Sequence, residues 1–163
     1  MIVREAAIAD VPELCGLLND IIARGGTTAY EEPLDPETFA DHFVTGADVV
    51  SCFVAEQDGV LIGFQTLEQG DPLPVDVCAI ASFSRSFSGV RGAGRALFPK
   101  SRAAAIAAGF RAIDAQIRAD NVPGLGYYGA MGFVEYDVVH SVPLSDGTPV
   151  DRVRKRYDLT RDC

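Results

Sequence analysis

Cysteine and histidine are scarce in this chain. Cys15, Cys52, Cys78 and Cys163 stand 37, 26 and 85 residues apart, with only His42 and His140 to join them. No zinc-type ligand spacing results, which argues against metal chemistry and against a disulfide framework. Long apolar runs are also missing. No window approaches the roughly 18 apolar residues of a membrane span, and Met1-Ile2-Val3-Arg4-Glu5 opens like a strand and carries no basic leader region, so a cytoplasmic protein is expected. Positive charge is in short supply: 14 Lys and Arg against 23 Asp and Glu leave a net charge of −9, which speaks against a general nucleic-acid or anionic-membrane partner. There is no internal repeat, linker or low-complexity tract. What remains is 163 residues with 48% apolar side chains, enough for one globular domain over 1–163.

The charge is unevenly placed. Residues 1–84 hold two basic side chains, Arg4 and Arg24, and fifteen acidic ones, whereas residues 85–163 hold twelve basic and eight acidic. Arg85, Arg91, Arg95, Lys100 and Arg102 fall within eighteen residues that contain no acid, around a glycine-rich turn. Such a cluster is a solvated basic face or a site for a phosphate-bearing ligand. The acidic first half fits a cationic acceptor, or serves solubility alone.

Local patterns give an ordered set of elements. Ile2 and Val3 read as a strand. Asp10 with Pro12 and Glu13 starts a helix carrying Leu14, Leu17, Leu18, Ile21 and Ile22, which ends at Gly25-Gly26. After a loop, Asp35-Pro36-Glu37 opens a shorter helix through Phe39 and Phe43, ended near Gly46. Val49 to Ala55 and Val60 to Leu67 form a hairpin about Gln57-Asp58-Gly59. Val75 to Phe83 is apolar or small on both faces, as a central strand would be. An alanine-rich helix follows from Ala96 to Ala108, where Pro99 either delays the start or kinks the helix. A strand from Phe110 to Ile117, a short helix from Gly124 to Met131 and strands from Phe133 to Val142 and Val150 to Leu159 complete the chain.

Arg91-Gly92-Ala93-Gly94-Arg95-Ala96 joins a strand to a helix. Glycines there let successive N–H groups and a helix N-terminus converge on a pyrophosphate. The hexapeptide resembles the acetyl-CoA loop of the GCN5-related N-acetyltransferase superfamily, which reads Arg or Gln, two residues, Gly, one residue, then Gly or Ala. The resemblance extends further: Asn121, then Tyr128 four residues before Gly132-Phe133, and the order of elements over nearly the whole chain. Thr27 to Pro33 is more distantly similar to a segment of phosphinothricin and amino-acid N-acetyltransferases. Ser84 to Val90, with Arg85, Phe87 and Gly89, departs from the pattern by lacking a Pro-containing approach to the loop.

The resemblance implies an α/β (α+β) fold with a mixed central sheet of about seven strands flanked by about four helices. It implies acetyl-CoA as cosubstrate, no metal, and direct transfer of acetyl to the primary amine of a small molecule, an amino acid or related amine. A homodimer is compatible with it, and nucleic acid and membrane are not expected partners. On this reading Ser82, Phe83, Ser84, Arg85, Arg91, Gly92, Ala93, Gly94, Arg95, Ala96, Asn121 and Tyr128 hold acetyl-CoA. A main-chain N–H near Ser82 to Ser84 would face the developing oxyanion, and Tyr128 would protonate the departing thiolate. Its neighbour Tyr127 would point elsewhere on the helix, and Gly94 would leave room for the pyrophosphate. Asn121 is either a ligand or a turn residue. Tyr30, Glu31 and Glu32 would line the acceptor side. Asp76, Glu68, Glu31 and Glu32 are all of the right type to take the amine's proton, and His42 and His140 gain no role. A non-catalytic acyl-CoA-binding or scaffold domain is the alternative on the same fold. Gly124-Leu125-Gly126-Tyr127-Tyr128-Gly129 matches a dinucleotide fingerprint literally, but no strand runs into it and Gly132-Phe133 comes too soon for the required helix.

Overall fold

Asp58 and Gly59 both adopt positive φ, +52° and +79°, the primed turn that suits the twist of two antiparallel strands. This turn joins β2 (Val49–Gln57) to β3 (Val60–Glu68) and seeds the sheet. A computed structural model describes residues 1–85 and 91–162, so Phe87 and Gly89 lie outside the described residues. The other strands are β1 (Ile2–Glu5), β4 (Val77–Ser84), β5 (Ala112–Arg118), β6 (Val134–Pro143) and β7 (Pro149–Asp158). They form one seven-stranded sheet in the order β1-β2-β3-β4-β5-β7-β6, antiparallel throughout except where β4 runs parallel to β5. Four helices flank it: α1 (Val11–Arg24), α2 (Pro36–Ala40, continued by a wider turn through Thr45), α3 (Ala93–Ala107) and α4 (Val122–Met131).

Each face of the sheet has its own core. On one, Leu14, Leu17 and Leu18 of α1 and Phe39 and Phe43 beyond it pack on Val54 and Phe64. On the other, Phe98 and Ala105 of α3 and Tyr128 of α4 pack on Leu67, Ile113 and Phe133. At roughly 1.5–3 kcal/mol per buried large side chain, these faces explain why the helical stripes seen in the sequence sit where they do. Among the described residues, no helix is long and apolar enough to cross a membrane.

Among the boundaries that differ from expectation, two bear on the site. β4 begins at Val77; Val75 is 87% exposed, because the chain pairs with β3 only from Ala79 and with β5 only from Val77. α3 begins at Ala93, directly after Gly92 in the left-handed region (φ +94°), and passes through Pro99. The start is set by the glycine, whose φ suits few other residues. The loss of one backbone donor at Pro99 is tolerated because Leu97 and Phe98 beside it are buried in the sheet.

Candidate active site

β4 and β5 are paired only at Val77–Ala79 with Ala112–Asp114, although β4 continues to Ser84 and β5 to Arg118. The two strands diverge beyond that point and leave a gap in the middle of the sheet. Arg85 N–H donates to the Ile62 carbonyl at 2.8 Å, so in this antiparallel ladder the odd-numbered residues of β4 bond to β3. The even-numbered ones then turn their N–H and C=O the other way. The main-chain groups of Ser82 and Ser84 therefore face the gap.

A cavity of about 630 Å³ occupies the gap. Ser82, Phe83, Ser84, Asn121 and Tyr128 line it, with Tyr30 and Glu68. These come from both faces of the sheet, so one cavity joins the α4 side to the α1 side. Of the fifteen acids in the first half of the sequence, Glu68 alone reaches this cavity, so the acidic composition there does not describe the site. Asp76 lies at the opposite end of β4, where its carboxylate accepts from Arg111 Nε at 2.6 Å. The carboxylate of Glu31 accepts from the N–H and hydroxyl of Ser145, and neither Glu31 nor Glu32 lines the cavity. Sequence spacing could not say which of these acids reaches the cavity; the placement of β3 brings Glu68 there.

The hydroxyl of Tyr127 donates to the Gly94 carbonyl at 2.8 Å. A carbonyl only accepts, so Tyr127 spends its proton there and must itself accept from Gln65 Nε2 at 3.0 Å. The second amide proton of Gln65 goes to Ser82 Oγ at 2.9 Å, and the Gln65 carbonyl oxygen is buried without a partner among the described residues. Ser82 Oγ also lies 2.9 Å from the Tyr128 hydroxyl. Ser82 and Tyr128 hold two hydroxyl protons between them and use one for their mutual bond. The Tyr127 hydroxyl is also within hydrogen-bond reach of Ser82, so the other proton has an acceptor inside the same network. Burial raises Tyr128 above the ordinary tyrosine range, an effect that Ser82 partly offsets.

Tyr127 thus does not point away, as its place beside Tyr128 suggested. Its ring fills the space that Gly94 leaves open, and a Cβ on Gly94 would sit 2.5 Å from that ring. Gly94 is therefore required by the packing of Tyr127. The one signal that could have revealed this network is Gln65 itself, a polar residue that follows directly on the apolar run 60–64 and is fully buried.

At the start of α3 the backbone N–H groups of the first turn meet no acid, and Arg91 and Arg95 are exposed beside them. This arrangement suits a diphosphate. Arg85 is different: its Nε donates to the Leu61 carbonyl at 2.8 Å and its guanidinium lies 3.8 Å from Glu13, so it braces β3 against α1. Asn121 caps α4, accepting from Gly124 N–H at 3.0 Å, and donates to the Thr27 carbonyl at 2.9 Å. Arg118, overlooked in the sequence, donates to the Thr28 carbonyl at 3.2 Å and pairs with Asp120. Together they clamp the Thr27–Tyr30 segment over the cavity. Among the described residues, no group of three or more His, Cys, Asp or Glu could hold a metal ion.

The model of a family described as the acetyltransferase (GNAT) family matches residues 17–133. No curated protein matches the chain. Several solved structures share the fold. A ribosomal-protein-alanine N-acetyltransferase from Brucella melitensis is 21% identical with a TM-score of 0.82, covering 97% of this chain and 99% of its own. A GCN5-related N-acetyltransferase from Kribbella flavida is 23% identical with a TM-score of 0.82 and 96% of each chain covered. A phosphinothricin acetyltransferase from Sinorhizobium meliloti, in complex with acetyl-CoA, is 18% identical with a TM-score of 0.83, covering 96% of this chain and 87% of its own.

Proposed function

The chain belongs to the GNAT acetyltransferase family, and from that membership we propose that it transfers acetyl from acetyl-CoA directly to the primary amine of a small molecule, an amino acid or a related amine. The observation that carries this reading is the single cavity through the sheet, with Ser82 and Tyr128 on one side and Glu68 and Tyr30 on the other.

Acetyl-CoA supplies an activated thioester. Arg91, Arg95 and the first-turn amides of α3 bind its diphosphate, and the gap between β4 and β5 admits the acyl end. The inward-facing N–H groups of Ser82 and Ser84 stabilise negative charge developing on the thioester oxygen. Glu68, directly or through water, takes the proton that the amine must lose to attack. Tyr128, whose hydroxyl is held by Ser82, gives its proton to the departing sulfur, and burial favours the protonated tyrosine needed for that role. No step uses a thiol: Cys15, Cys52 and Cys78 are buried, and burial pushes the last two up to about 12.

Release of free thiol from acetyl-CoA, followed across a panel of amines and amino acids, tests the reading. Turnover with at least one acceptor, reduced by about 10²-fold or more in Glu68→Gln, is the expected outcome. Acetyl-CoA binding without thiol release on any acceptor would overturn it in favour of a non-catalytic binding domain.

A further inference from the structure

The cavity is lined by more positive charge than its proposed chemistry uses. Arg24, Arg118 and Arg152 border it, and Glu68 is the sole carboxylate of the lining, in a chain whose net charge is −9. None of the phosphate-loop residues 91–96 lines it, so these arginines are not part of the diphosphate site.

The arginines differ in what they already hold. Arg118 is committed to Asp120 and to the Thr28 carbonyl, and Arg24 is likewise engaged. Alternation along β7 sets Arg152, Arg154 and Arg156 on one face of the sheet, opposite Arg118, Gln116 and Asp114 of β5. Arg154 lies 3.8 Å from Asp114 and 3.7 Å from Asp137. Arg156 donates to Asp114 at 3.1 Å and stacks 4.5 Å from the Tyr136 ring. Arg152 is the member of the row with no hydrogen bond, ion pair or ring contact among the described residues, and it is half-buried. A guanidinium withdrawn from water with no counter-charge is unfavourable until something supplies one. Its planar fork matches a carboxylate in two parallel bonds.

We propose that the acceptor carries a carboxylate and that Arg152 binds it, so that amino acids are preferred over amines lacking that group. This rests on the acetyl-transfer reading and adds a specificity-determining residue to it. Glu68 on β3 and Arg152 on β7 would then read opposite charges of one zwitterionic acceptor from the two sides of the gap.

The test pairs amino acids with their primary amides, which keep the amine and side chain and lose only the charge. The parent protein should use at least one acid with a kcat/KM about tenfold or more above its amide, the scale of a charge-assisted pair. Arg152→Met should abolish that ratio, and Arg152→Lys, which keeps the charge without the fork, should retain part of it. Unchanged melting temperatures check that the variants fold. Calorimetric titration of the same acids and amides into the CoA-saturated protein separates the two readings. A binding preference that follows Arg152 with no thiol release supports the carboxylate site and sinks acetyl transfer. Equal use or binding of acid and amide by the parent, no binding of any acid, or a preference that survives in Arg152→Met, overturns the proposal.

Discussion

Tyr127 and Tyr128 are adjacent, and a helix would ordinarily send neighbours to different faces. Here both hydroxyls reach the same network through Gln65 and Ser82. Their phenylalanine variants should nevertheless fail differently. Tyr128→Phe should lower kcat by about 10²- to 10⁴-fold with little change in the KM for acetyl-CoA. Because burial raises Tyr128, it keeps its proton beyond the ordinary tyrosine value of about 10, and kcat should climb with pH to a plateau. A descending limb near neutrality that vanishes in Tyr128→Phe would contradict the assignment. Tyr127→Phe should act on the scaffold: the Gly94 carbonyl and Gln65 lose a partner, at about 1–3 kcal/mol, visible as a lower melting temperature and weaker acetyl-CoA binding. Asp10 offers a test of stability. Arg4 donates to it at 2.8 and 2.9 Å and Ala7 N–H at 2.7 Å, and Arg4 is the main reason its carboxyl lies below the usual range. A depressed carboxyl stabilises the fold above its unfolded value of about 3.9 and loses that contribution as pH falls through the folded one. Asp10→Asn should therefore destabilise at neutral pH and narrow its deficit in acid, as thermal melts from pH 7 to pH 2 would register.

At the scale of elements, α3 joins a local conflict to a tertiary solution. Sequence signals put its start after the glycines or near Pro99, since a proline inside a helix costs about 3 kcal/mol relative to alanine. The helix instead begins at Ala93 and carries an exposed Pro99 in its interior, held by Leu97 and Phe98, which are 1% and 4% exposed. Pro99→Ala should restore a donor for the Arg95 carbonyl and raise stability by about 1–2 kcal/mol, after allowance for the freer unfolded chain. At roughly 2–4 °C per kcal/mol for a domain of this size, the gain is measurable by calorimetry, and an unchanged or lower melting temperature would mean that the helix has adapted around the proline. The divergence of β4 from β5 is likewise tertiary. The apolar character of β4 marks it as central, but nothing in its residues says where pairing with β5 ends.

Over the whole molecule, a ligand that spans the phosphate loop and the gap between strands must couple α3 to both halves of the sheet. Acetyl-CoA at about 100 times its Kd should add roughly 2.7 kcal/mol, or about 5–10 °C in melting temperature. No shift at verified saturation would contradict the placement of the loop. The elements, their order and the Arg91–Ala96 loop were legible because each rests on short-range rules: apolar period, turn glycines, helix starts. The family resemblance rested on the same residues. What the tertiary structure decided is which side chains meet. Glu68 reaches the cavity while Asp76, of the same chemistry, is taken by Arg111 at the far end of β4. Among the described residues Arg152 is left without a partner while Arg154 and Arg156, two and four residues on, are paired. The sequence alone determined the periodicity that puts these arginines on one face; only the arrangement of neighbouring strands set what each of them faces, because a charge's partner is fixed by distance in space and not by spacing along the chain.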